Sequence, residues 1–271
     1  FIFIKKLSLL KFQTHTMRII NFIFVVLFFN TVLIAQNYSI FGKIDDMPDG
    51  EVLLGYYYGD KQFVKDTVDS HHGFFHFESE EELESGMYFV LLPNKQYFQL
   101  IIDETRNFSF ETSKDNMILD MKVQGSKENQ LFYEYQKFTQ KKGIQADPLK
   151  KQLKTLEKDT RKYQKIKTQL QEIDDEVTDF KLDYMQKHFS TFFVKLLSAM
   201  EPIVIPESPL LEDGTVDSKF QYNYYKKHYW DLFDLKDDRM VRTPIFHGKM
   251  EKYLLEYTPQ IPDSIIKSLD V

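Results

Sequence analysis

The residues best equipped for chemistry gather between positions 224 and 246, in YYKKHYWDLFDLKDDRMVRTPIF. On a helix, His228 would share a face with Tyr225 and Tyr229, while Tyr224, His228 and Asp231 would align at i, i+4 and i+7. A histidine oriented by an aspartate is the beginning of a general base. A working site also needs a nucleophile or a metal, and a group that stabilises developing charge. The chain has no GxSxG, no HExxH and no Gly-rich phosphate loop. The same residues have a structural use. Tyr229 and Trp230 bury large rings while keeping a polar atom for a partner. Asp231, Asp234, Asp237 and Asp238 suit caps and turns, Arg239 and Arg242 offer them bidentate partners, and Thr243-Pro244 suits a helix start. The stretch therefore reads as a packing or docking element made by Tyr225, His228, Tyr229, Trp230, Asp231, Asp234, Asp237, Arg239, Arg242, Thr243 and Pro244, with no catalytic residue assigned.

A second cluster, His71, His72 and His76 with Asp66 and Asp69 upstream, suggests a metal site. In an extended strand His72 and His76 would share a face about 13 Å apart, too far for two ligands of one ion. A turn at His71-His72-Gly73 with solvent-facing imidazoles is the plainer reading, so no metal and no cofactor is expected. The chain has no cysteine. It therefore offers no disulfide, thiolate nucleophile, zinc-thiolate site or lipid-accepting Cys.

These residues must be positioned by a chain of 271 residues, enough for one large domain or two modest ones. With 42% hydrophobic residues, including 25 Phe and 16 Tyr, it is too apolar for a disordered protein. Residues 1–16 precede the first plausible start, Met17. Arg18 and the apolar run IINFIFVVLFFNTVLIA then read as a secretory signal ending near Ala35. Asn30 and Thr31 leave that run short of the roughly 20 apolar residues of a membrane span, so no retained transmembrane helix is expected. Export to the periplasm or cell envelope follows. Removing 1–35 takes Lys5, Lys6, Lys11 and Arg18 and no acid from 35 basic and 41 acidic residues, which leaves a formal charge of −10. Nucleic acid is not an expected partner of so acidic a chain.

From 36 to 124 short apolar runs alternate with turn residues: YSIFGKI, EVLLGYYY, QFVKDTV, FFHFES, MYFVLL, QYFQLII, FSFE and MILDMKV. Their regular spacing predicts an antiparallel β-sandwich or barrel. Alternation in NFSFE puts Phe108 and Phe110 on one face, and MYFVLL reads as a strand covered on both faces. At Gly125-Ser126 the period becomes helical, and 125–271 reads as an all-α domain. Its first helix is expected to end at Gly143. Asp147-Pro148 then opens one long helix of about 40 residues, read as an arm packed along the domain, with an isolated coiled coil or a break near the three-residue step between Tyr163 and Ile166 as alternatives. Further helices follow Ser190 and Ser218, separated by the Pro-rich connector PIVIPESPLLEDGT. The fold class is α+β.

Three helical segments, GSKENQLFYEYQKF (125–138), 222–254 and QIPDSII (260–266), together with the looser β-segments around Asp66-Thr67 and Gly73-Phe74-Phe75, are similar to those of one family. The chain resembles the N-terminal region of Bacteroidota TlpA-like, or redoxin-type, thiol-disulfide oxidoreductases. In these, two domains of unknown function precede a thioredoxin-like domain. The resemblance covers roughly 38–271. It implies a non-catalytic scaffold or client-recognition module whose partner is a thioredoxin-like domain, in cis or in trans, or an envelope client protein. It also implies that the chain is either truncated before that domain or a family member that never carried it. No catalytic residue carries over, because the family's chemistry lies in a CxxC outside this sequence. A stand-alone envelope ligand-binding protein is the alternative, and a hydrolase built on His228 a distant third.

Overall fold

The alternating apolar runs form eight strands in the computed structural model, which describes residues 37–158 and 160–269. The expected signal segment lies outside the described residues. The strands are β1 (Tyr38–Asp45), β2 (Gly50–Tyr58), β3 (Lys61–Ser70), β4 (Phe74–Ser79), β5 (Gly86–Leu91), β6 (Tyr97–Ile102), β7 (Asn107–Ser113) and β8 (Lys122–Gln124). They make two four-stranded sheets, ordered β4-β1-β7-β8 and β3-β2-β5-β6. All pairings are antiparallel except β1 with β7. Alternation decides the faces. Ile40, Phe77, Phe108 and Phe110 of one sheet and Leu54, Val90, Phe98 and Leu100 of the other are buried, and the rings of Phe98 and Phe110 meet edge-on at 5.2 Å. Phe108 and Phe110 share a buried face as their spacing predicts, and β5 is buried at four of its six positions with the other two half-buried. MILD does not extend as a strand: residues 115–120 form turns, and only Lys122–Gln124 pairs with β7.

His72 and Gly73 form the expected turn between β3 and β4. Both have positive φ, 52° and 81°, the combination a two-residue hairpin turn of type I′ requires. Asp49 helps by accepting the His72 N–H at 2.7 Å.

Six α-helices follow: α1 (Lys127–Lys154), α2 (Arg161–Lys187), α3 (Phe192–Met200), α4 (Phe220–Lys227), α5 (Phe246–Glu256) and α6 (Pro262–Leu269), with a 3₁₀ turn at Asp238–Arg242. The α+β order holds, but the helix boundaries differ from expectation. Gly143 does not end the first helix and Asp147-Pro148 does not begin a second; α1 runs through both to Lys154. The chain turns at 155–158 and returns as α2, with the Thr160 hydroxyl accepting the Tyr163 N–H. The single long helix is thus an antiparallel hairpin. Phe138 stacks on Phe180 at 3.8 Å, and Tyr135 packs between Phe180, Tyr184 and Phe193. That aromatic seam outweighs the roughly 1 kcal/mol a helical glycine costs. Among the described residues no helix is long and apolar enough to cross a membrane.

The first turns of α1 seat the helices on the sandwich. Asn129, fully buried, accepts the Ile101 N–H at 2.8 Å and donates to the Ile101 C=O at 2.6 Å. Four residues later the Tyr133 hydroxyl donates to the Gln99 C=O at 2.6 Å. Four helical residues advance about 6 Å and two strand residues about 6.7 Å. An antiparallel helix can therefore serve alternate residues of the β6 edge as a neighbouring strand would. Gln130 and Lys137 donate to the carbonyls of Val123 and Met121, so the same helix also reaches the β8 end of the other sheet.

Asn129→Ala should lower the unfolding free energy by about 3 kcal/mol, since two buried main-chain groups lose partners. Chemical denaturation measures this, and a loss below about 1 kcal/mol would contradict the edge-capping role. Gly143→Ala should raise stability by roughly 0.5–1 kcal/mol, because the position is helical and an added Cβ meets nothing within 4 Å.

Candidate functional site

The 224–246 segment is held by a charged network and by rings. α4 ends at Lys227, so His228 is its C-terminal cap rather than a mid-helix residue. The His228 Nδ1–H nonetheless donates to Asp231 at 2.6 Å across the turn, and its ring lies 4.2 Å from that of Tyr224. Tyr229 is buried, with its hydroxyl donating to the Lys249 carbonyl at 2.8 Å. Its ring meets those of Tyr225, Trp230, Tyr253 and Tyr257 at 5.0–5.6 Å. Trp230 is half-buried between Tyr229, Phe233 and Tyr253. Lys249 lies over the Tyr229 ring at 4.9 Å, and burial pulls its amine below the usual lysine range.

Asp237 is the ionic centre. Its side chain is 8% exposed. It accepts from Arg239 Nε at 2.7 Å, from the Arg239 N–H at 3.2 Å and from Lys195 Nζ at 2.7 Å. The Arg239 guanidinium holds this carboxyl well below the usual carboxylate range, and Lys195 adds to the effect. Lys195 also binds Asp234 at 2.8 Å. Arg239 in turn stacks over the Phe192 ring at 4.4 Å, and Phe192 opens α3. The N-terminus of that buried helix is served from α1. The Glu128 carboxylate accepts the N–H groups of Phe192 and Phe193 at 2.8 and 2.9 Å, and Thr191 accepts that of Val194 at 3.3 Å. A carboxylate at a helix N-terminus is favoured by the aligned peptide dipoles.

Arg242 ties the segment to the sheet. It pairs with Glu84 and donates to the Asp238 carbonyl at 3.3 Å. Gly86, at φ +156°, makes the approach possible: a Cβ there would stand 2.6 Å from that of Arg242. The Val241 carbonyl accepts the Gly59 N–H at 3.1 Å, and Met240 is buried in the common core. Thr243 is fully buried and donates to the Met240 carbonyl at 2.7 Å. Thr243-Pro244 therefore closes the 3₁₀ turn, and α5 starts two residues later at Phe246.

Between α3 and the 229–236 loop lies a groove of about 720 Å³. Phe189, Leu232 and Leu235 line it and are 76%, 41% and 38% exposed. Trp230 contributes to its wall, with Lys195, Asp231, Asp234 and Lys236 around it.

Residues 38–132 match DUF4369, a domain of unknown function. The match spans the eight strands and the first six residues of α1. The DUF4369 region therefore includes Glu128 and Asn129, the side chains that seat the helices. No curated protein and no solved structure matches the chain.

The sequence offered Arg239 and Arg242 as partners for Asp231, Asp234, Asp237 and Asp238; Arg239 does pair with Asp237, but Asp234 pairs with Lys195 and Arg242 with Glu84. Lys195, Glu84, Glu128 and Phe192 come from distant elements without a local signal. Sequence reasoning also missed an arrangement in the DUF4369 region. Ser39 Oγ lies 2.7 Å from His76 Nε2, whose Nδ1 stands 3.5 Å from Glu78. Strand register brings them together, since Ser39 pairs with Glu78 and Phe41 with His76. They have the order of nucleophile, base and acid, but they sit on the outward, solvated face of a sheet. Among the described residues no His/Asp/Glu group has metal-holding geometry.

Asp237→Asn is expected to destabilise the protein by about 3 kcal/mol at pH 7, as for breaking a buried pair. The folded-state pKa is depressed, so the contribution of Asp237 is complete above the unfolded value near 3.9 and is lost as pH falls below it. The variant should therefore lose less stability than the native protein between about pH 5 and pH 2.5. Parallel stability–pH curves would show that Asp237 is not held in this way.

Proposed function

We propose that this chain is a non-catalytic module of an exported thioredoxin-like protein, and that the groove beside α3 docks the redox domain or its client. One observation carries the reading. Phe189, Leu232 and Leu235 stay exposed around a half-buried Trp230, while the loop behind them is fixed by Asp237, Arg239 and Lys195. A contiguous apolar patch with a charged rim, on a rigid support, is the usual form of a protein-binding surface. Of the eleven docking residues named from sequence, Trp230, Asp231 and Asp234 line the groove, and the other eight lie outside its lining. A chain without cysteine contributes shape and contact to thiol exchange, because the exchange itself runs through a thiolate.

Calorimetric titration with a thioredoxin-like domain from the same genome should give a micromolar-range complex. Phe189→Asp and Leu235→Asp, both at exposed positions, should weaken it at least about tenfold, with melting temperatures close to the native value. Two results would sink the proposal. One is no binding, together with a stop codon directly after Val271 and no redoxin gene alongside. The other is robust disulfide reductase turnover by the purified chain itself.

A further inference from the structure

We propose that an extended peptide segment binds between the outer end of β6 and the Gln136–Gln140 stretch of α1, adding a short strand to the sheet edge. A cleft of about 380 Å³ lies there, lined by Tyr97 and Gln99 of β6, Gln136 and Gln140 of α1, and Asn116 and Met117 of the β7–β8 connection. Ladder parity decides what the strand presents to it. The Leu92 N–H donates to the Gln96 carbonyl at 2.9 Å, so even-numbered residues on the β6 side bond toward β5. Asn129 and Tyr133 bind Ile101 and Gln99 from the opposite side. Alternation then turns the Gln99 N–H and both main-chain groups of Tyr97 away from β5, toward the cleft.

The helix serves this edge for two steps and then leaves it. Gln136 and Gln140, the next residues of α1 along the cleft, stand back across it, and Gln140 Oε1 is buried without a partner. A buried amide oxygen lacking a donor is costly, and nearly all such atoms in folded proteins are satisfied. An inserted chain would meet the Gln136 and Gln140 side chains on one wall and the outward main-chain groups of Tyr97 and the Gln99 N–H on the other. Extended main chain offers an N–H and a C=O on one side every two residues, about 6.7 Å apart. This is the spacing Asn129 and Tyr133 imitate, so a strand laid beside Tyr97 continues an interface already built. Recognition runs through main-chain groups, because the β6 edge presents them and amides and phenols share the lining with Phe98, Met117, Ile118 and the charged Lys114 and Asp115. The 60% exposed Tyr97 ring offers a face to one apolar side chain.

The test titrates acetyl-Thr-Val-Thr-Val-Thr-amide into the ¹⁵N-labelled chain. The Tyr97 and Gln99 amide resonances should shift saturably at millimolar peptide, and their deuterium exchange should slow about fivefold. The same peptide N-methylated at alternate amides should do neither. Gln140→Ala should weaken binding roughly threefold without lowering the melting temperature. The proposal fails if Tyr97 and Gln99 do not respond or if the N-methylated peptide acts equally well. It also fails if cellopentaose, a neutral polyol, produces the shifts and the peptide does not.

Discussion

A strand at the edge of a sheet and the first turn of a buried helix share one difficulty: main-chain groups removed from water need partners. In this protein two consecutive residues answer it for two separate elements. Asn129 takes the N–H and C=O of Ile101 on β6, and Glu128 takes the N–H groups of Phe192 and Phe193 at the start of α3. Both side chains project from the first turn of α1, which is fixed by the Ser126 cap. Sheet, hairpin and α3 are therefore referenced to one point on the chain. The hydrophobic core follows suit, running from Ile40 and Leu100 through Leu131 and Phe193 to Met240.

The 3₁₀ turn depends on that arrangement. Arg239 lies over Phe192, whose position is set by Glu128, and the Lys195 that binds Asp237 projects from the same α3. Arg242 and Val241 reach the other way, to Glu84 and to the Gly59 N–H at the β2–β3 hairpin. The segment thus bridges α3 and the sheet rather than extending a helix. This explains why Tyr225, His228 and Tyr229 do not simply line one helical face. α4 stops at Lys227, and Tyr229 turns inward to meet Tyr253 and Lys249 of α5.

Much of the β half was legible because burial there follows a period of two. Phe108 and Phe110, the covered strand MYFVLL, and the turn at His72-Gly73 all express local rules of pleat and turn. The helical half was legible in kind but not in boundaries. Gly143 and Asp147-Pro148 look like a stop and a start, yet α1 runs through both, and Phe138 stacks on Phe180 of the returning helix. The turn at 155–158 contains neither glycine nor proline, and its signal is only the Thr160 that caps α2. Glu128 and Asn129 were invisible for a different reason. On a helical text they read as ordinary surface residues, and only the approach of β6 and α3 makes them interior.

The ionisable residues of 224–246 follow from the same logic. A carboxylate serves as a proton acceptor when its pKa is near working pH and a reacting group can reach it. Asp237 has neither property. Two cations and a main-chain N–H occupy its oxygens, and they drive its pKa down rather than up. Asp231 holds the His228 ring, which Tyr224 covers on one face. Ser39, His76 and Glu78 align because three residues of an antiparallel ladder face outward together, and nothing at that solvated face excludes water from a reacting group. A dense set of His, Asp and Arg can thus be generated by docking alone, wherever a short polar turn must be pinned between a sheet and a helix.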